Sequence, residues 1–106
     1  MRKCDACGQH VCRQDSVAWL EVALGNASPA ATILIRGDRH IRCSPSRAQF
    51  ITDPAFGGPV VDDRPQYDKR RLSRSQQETI ERTTTLAWRN LQNQDWWLAS
   101  SGMEAA

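Results

Sequence analysis

A small α+β domain closed by a bound metal is the fold class this sequence predicts, and three observations predict it. Two ligand-type pairs of equal spacing, Cys4-Asp5-Ala6-Cys7 and His40-Ile41-Arg42-Cys43, stand at the two ends of its first half. Between them, "SVAWLEVALG" and "ATILIRG" can pair as antiparallel strands. A later segment, "SRSQQETIERTTTLAWRNLQNQ", repeats its apolar residues with helical period.

A chain of 106 residues suits one domain with a small core that needs reinforcement. Its expected parts are a metal-binding ββα unit over 1–52, an irregular arm over 53–72, a C-terminal helix over 73–98 packed on the same domain, and a frayed tail over 99–106. The opening "MRKCDACGQH" has no apolar signal-type region, and no run of about 18 apolar residues offers a membrane span. A cytoplasmic chain with reduced thiols is therefore expected. That demotes disulfides among the four cysteines and promotes metal binding.

The first cysteine pair opens the chain, and Gly8 lets the backbone turn sharply after it. In "SVAWLEVALG", Ala18, Leu20, Val22 and Leu24 would share one face of a strand. Val17, Leu20 and Leu24 would equally form a helical stripe with Gly25 as its stop. The branched residues of "ATILIRG" favour a strand, "GNASPA" serves as a hairpin loop, and two antiparallel strands are the preferred reading. Ser44 is a candidate N-cap with Pro45 at the first helical position, and that helix runs through Ala48, Phe50 and Ile51 to stop before Asp53-Pro54. The arm that follows is irregular, with Val60, Val61 and Tyr67 available to pin it. Ser75 and Glu78 can form a capping box for the last helix, whose Ile80, Thr84, Ala87, Leu91 and Leu98 share an arc with Trp88 on its flank.

Zinc takes four tetrahedral ligands from thiolate sulfur and imidazole nitrogen, and a two-residue gap lets one tight turn supply two of them. Cys4, Cys7, His40 and Cys43 meet that requirement, with Cys43 just ahead of a helix start whose dipole would favour a thiolate. Cys12 competes with His40 as fourth ligand; the repeated spacing favours His40. Outside the site, His10 would be a solvated residue and Cys12 a small buried one. Four protein ligands leave no open position, which makes the expected zinc structural.

A C-x-x-C-G loop, a hairpin and a second ligand pair leading into a helix resemble a treble-clef zinc finger over residues 4–52, with a zinc ribbon as the variant lacking the helix. The resemblance implies one structural zinc on Cys4, Cys7, His40 and Cys43. Treble clefs also underlie His-Asn-His nucleases, but here His40 is taken as ligand and the helix offers only Gln49. Cys12 with His10 is the only other thiol–base pair, and nothing orients it. An enzyme is not expected.

The formal charge is +2, and arginine far outnumbers lysine. Arg36, Arg39, Arg42 and Arg47 form one cluster around the second ligand pair; Lys69, Arg70, Arg71 and Arg74 form another. Either could contact nucleic-acid phosphates, with Trp19 or Tyr67 stacking on bases, or simply pair with nearby aspartates. Trp88, Trp96 and Trp97 point instead to a protein partner or self-association, because tryptophan is a preferred interface anchor. If the last helix ran unbroken, Trp96 and Trp97 would face away from the core; a break at Asn93-Gln94-Asp95 would tuck them back. Protein partners are preferred over nucleic acid. A small, Arg-rich zinc protein of this kind resembles accessory proteins of phages and mobile elements, which implies a host-directed inhibitor or a nucleic-acid accessory factor.

Overall fold

The computed structural model describes residues 2–34 and 37–93. Two short strands, β1 (Arg2–Lys3) and β2 (His10–Val11), are followed by helices α1 (Val17–Ala23), α2 (Pro29–Leu34), α3 (Pro45–Ala48) and α4 (Arg74–Gln92). One-turn 3-10 helices at Arg13–Asp15, Pro54–Phe56 and Lys69–Arg71 join them. None of the described helices is long and apolar enough to cross a membrane.

The strand pair expected over 17–36 is corrected: its first segment is helical, and so is the described part of its second, up to Leu34. At α1 the decisive groups are polar. Ser16 caps it, accepting from Trp19 N–H at 3.1 Å, and the Asp38 carboxylate accepts from Ala18 N–H at 3.1 Å. At its far end Gly25 N–H donates to Val22 O and Asn26 N–H to Glu21 O. This Schellman closure needs the left-handed φ of +85° that Gly25 supplies. At α2, Ser28 accepts from Ala31 N–H at 3.1 Å and Pro29 takes the first position, so a Ser-Pro start overrides the branched residues behind it. The antiparallel ladder lies elsewhere: β1 pairs β2 with Arg2 opposite Val11 and Lys3 opposite His10.

Ser44-Pro45 does open a helix, but α3 is only four residues long and Ser44 makes no side-chain cap bond. The capping box of α4 is also corrected. Ser73, not Ser75, accepts from Gln76 N–H at 3.2 Å, while Gln76 Oε1 accepts from Ser73 N–H at 3.2 Å. Removing this hydroxyl by Ser73→Ala should lower stability by about 1 kcal/mol, read from denaturant midpoints, while Ser75→Ala should change little. α4 ends at Gln92, because Asn93 leaves it with φ −79° and ψ 121°. Leu98, Trp96 and Trp97 lie outside the described residues.

α1 and α4 pack on each other, with the turn after the second ligand pair and the start of the arm closing the core. Leu20, Ile41 and Leu91 are fully buried at its centre, with Val22, Ala48, Ile51, Phe56, Ala87 and Trp88 around them. Trp88, expected as a partner contact, is only 8% exposed and meets Phe56 edge-on at 5.5 Å. Its place is in the core.

The arm wraps the domain, by contacts other than those expected. Val60 packs on the core, but Val61 and Tyr67 are exposed. Phe56 plugs into the core, and the buried Gln49 side chain donates to Tyr67 O at 2.6 Å and accepts from Lys69 N–H at 3.0 Å. Lys69 Nζ in turn bridges Gln49 O and the Glu81 carboxylate on α4. Asp62, buried within the arm, takes both arms of the Arg64 guanidinium at 2.8 and 2.7 Å, which holds its carboxyl below the usual range.

Candidate metal centre

The turn joining β1 to β2 carries the first pair of candidate ligands. Cys4 N–H donates to Gln9 O and Gly8 N–H to Cys4 O, both at 2.8 Å. Gly8 adopts φ +78°, a left-handed conformation that a Cβ would strain. The result is a compact knuckle that brings the buried Cys4 and the exposed Cys7 to one site.

The second pair is held in a layer between this knuckle and the start of α1. Asp5 N–H donates to Asp38 O at 2.9 Å on one side. On the other, Val17 N–H donates to Arg39 O at 3.0 Å and Ile41 N–H to Asp15 O at 3.1 Å. His40 to Cys43 then closes as a turn through Cys43 N–H to His40 O at 3.0 Å. Ile41, between the two ligands, is the residue that this turn sinks into the core.

Asp38 locks the layer. It is 6% exposed, and its carboxylate accepts from the Ser16 hydroxyl, Ala18 N–H at 3.1 Å and Arg39 N–H at 2.8 Å. Arg2 of β1 approaches it at 3.5 Å and also donates to Thr32 O of α2. One carboxylate thus ties β1, the N-terminus of α1 and the approach to His40. No local sequence pattern announces this buried role of Asp38, because it depends on segments distant along the chain.

The ligand atoms of Cys4, Cys7, His40 and Cys43 all lie within 4.8 Å of one another. His40 Nδ1 is 3.3 Å from Cys7 Sγ and 3.9 Å from Cys43 Sγ. A tetrahedral zinc with sulfur at about 2.3 Å and nitrogen at about 2.0 Å has an S–N edge of about 3.5 Å. The two distances bracket that edge. His40 Nε2 lies 2.8 Å from His10 O, and a carbonyl can only accept, so Nε2 carries a hydrogen and Nδ1 is the nitrogen left to bind a metal once its own proton is lost. His10 contributes through its backbone alone, a role no side-chain pattern announces. Three sulfurs and one imidazole nitrogen can hold one metal ion, and the donor set is that of a structural zinc site. Cys12, the alternative ligand, is exposed and outside this group; the buried place expected for it is corrected.

The electrostatics follow from the geometry. Burial pushes the Cys4 thiol up, but N–H groups of His40, Cys7 and Ala6 donate to its sulfur and bring it down to about 6. The bond to His10 O favours protonated His40; burial opposes this, and the neighbouring sulfurs help raise the group to about 9. Burial, then the Cys4 and Cys7 sulfurs, push Cys43 up to about 11. The thiolate-favouring helix end expected at Cys43 is therefore overruled by its surroundings. Between pH 6 and 9, Cys4 is already ionised while His40 and Cys43 hold protons that a metal must displace. Metal affinity should thus rise with pH, because protons on the ligand atoms compete with the ion. Competition titrations against a chromogenic chelator check this; a pH-independent affinity would contradict it.

Of the arginines considered for nucleic-acid contact, several are engaged within the fold. Arg47 forks onto Glu21 with both bonds at 2.7 Å, and Arg42 donates to Phe56 O and Gly58 O at 2.8 Å while lying over the Phe56 ring. Arg70 pairs with Asp68, and Arg71 reaches Pro65 O at 3.4 Å. Arg39 is exposed, and Arg36 is outside the described residues. Trp19 packs partly against the core, and one face of Tyr67 is covered by Arg64. No protein-family model matches this chain, and no match to it was found among curated proteins or solved structures.

Proposed function

We propose that this chain is a non-catalytic binding module whose first half is stapled by one structural zinc and which acts through protein–protein contact. The convergence of Cys4, Cys7, His40 and Cys43 carries the reading: four protein donors fill a tetrahedral zinc and leave no position for a reacting water or substrate. The knuckle at one end and the ligand pair leading into α3 at the other support a treble-clef-like description, with α1 and α2 where the hairpin was expected.

Protein contact is favoured over nucleic acid because Arg42, Arg47 and Arg70 spend their donors on carboxylates and carbonyls of the chain itself. Leu34, Val61 and Leu86 meanwhile leave apolar surface open to a partner. Trp96 and Trp97 join the proposed contact on residue type alone. A host-directed accessory role of the phage or mobile-element kind fits such a module.

The test sets the two classes of partner side by side, using the zinc-loaded chain. Self-association or co-purification of a protein, lost on Trp96→Ala with Trp97→Ala, is expected. Retention on DNA or RNA that falls steeply with salt and is lost on Arg39→Ala would replace this reading with the nucleic-acid one.

A further inference from the structure

The four ligands are not equally reachable. Cys7 is exposed, His40 and Cys43 are half-buried, and Cys4 is buried. Cys4 Sγ also accepts N–H bonds from Ala6 at 3.4 Å and His40 at 3.5 Å, which draw electron density from that sulfur. Cys7 Sγ lies 3.3 Å from His40 Nδ1 and also meets the Cys4 and Cys43 sulfurs. An oxidant arriving from solvent therefore meets Cys7 first. Both other sulfurs of the site lie within 4.8 Å, and the backbone decides which one resolves Cys7. The knuckle bonds from Gly8 to Cys4 and from Cys4 to Gln9 hold Cys4 beside Cys7 in the fold, and the two-residue gap keeps the pair close when the chain opens. Cys43 arrives from the far end of the half-chain and is held there by the layer around Asp38, so closing a ring to it costs more chain entropy once the site loosens.

The geometry points to a redox-releasable staple: a hydroperoxide oxidises Cys7, Cys4 closes a Cys4–Cys7 disulfide, and the zinc is expelled. This rests on the zinc reading above. In the first step the Cys7 sulfur attacks the O–O bond and becomes a sulfenic acid, and the departing oxygen fragment takes a proton. In the second, the Cys4 sulfur displaces hydroxide from Cys7, the S–S bond forms, and the hydroxide leaves as water with a second proton. The two sulfurs lose two electrons, and the peroxide bond accepts them. His40 and Cys43 alone cannot keep the ion, so oxidation converts the module from its stapled form to an open one, and a thiol reductant reverses the change.

The experiment uses the full, zinc-loaded chain and its Cys12→Ser variant, treated with hydrogen peroxide. Released zinc is read with a chromogenic chelator and the protein by intact mass and peptide mapping. Expected are one zinc released per chain in step with a loss of about 2 Da, a link between Cys4 and Cys7, reuptake of zinc after thiol reduction, and the same behaviour in Cys12→Ser. Zinc retained under excess peroxide, a link to Cys43 or Cys12, or oxygenated sulfurs without a disulfide would overturn the proposal. A freshly purified chain without metal would overturn the zinc reading beneath it as well.

Discussion

Stripping the metal with a chelator, or replacing Cys4 or Cys43 by serine, is expected to leave a largely unfolded chain. The strands beside the site are two residues each, far too short to hold on their own. Besides the proposed ion, the Cys4–Asp38 bridge and the bonds around it fasten the knuckle to the second ligand segment. Ile41 makes the loss spread. It is fully buried in the core and sits between His40 and Cys43, so freeing the ligands frees a central core side chain. Zinc in small structural sites contributes about 10–16 kcal/mol, while a whole domain is stable by about 5–15 kcal/mol. On the proposed zinc reading, the metal's contribution is as large as the whole stability of such a domain. Far-UV circular dichroism with metal analysis provides the check: helix signal should vanish with the zinc and return when it is restored. A metal-free chain that keeps its helices would end the stapled reading. Cys12→Ser should lose neither.

Replacing Asp38 by alanine is expected to cost about 3–5 kcal/mol, the second largest effect of a single change. The substitution strips partners from the Ser16 hydroxyl and from Ala18 N–H at the start of α1, both in buried surroundings, and leaves Arg2 without its carboxylate. Each unsatisfied buried group costs about 1–3 kcal/mol, and they cannot regain water without opening the layer that carries His40. Asp38→Asn should cost less, because one oxygen still accepts from Ala18. Denaturant midpoints of the zinc-loaded variants, with zinc affinity measured alongside, check this. An Asp38→Ala protein as stable as its parent would mean that the layer does not depend on this carboxylate.

Metal affinity and chain fold are legible to different degrees in the residues. Ser28-Pro29 and Ser44-Pro45 carry the same start signal, but only the second is free of a branched run behind it. At Ser28 the branched run behind it pulled the reading toward a strand, while the structure spends the serine on a real cap. At Ser44 the helix forms without one. For α1 the pattern admitted strand and helix equally, and the choice was made by Asp38 receiving Ala18 N–H from outside the segment. Gln49 enters the sequence reading only as the one residue that helix offers in the nuclease comparison; its buried amide fastens the arm through Tyr67 and Lys69. The α4 cap slipped by two positions because both Ser73 and Ser75 head acceptable boxes, and only the packing of α4 sets which turn comes first.

What the sequence determined by itself is the donor set: spacing and side-chain chemistry are local, so two pairs with a two-residue gap could be recognised without coordinates. The long α4 was legible for the same reason, since nineteen residues of helical period leave little ambiguity. Only the tertiary structure decided that the segments between the pairs are helices, that Trp88 belongs to the core, and that Asp38 and the His10 carbonyl orient the site. Those outcomes rest on bonds between residues far apart in the chain, whose energies exceed the small local preferences that a linear pattern records.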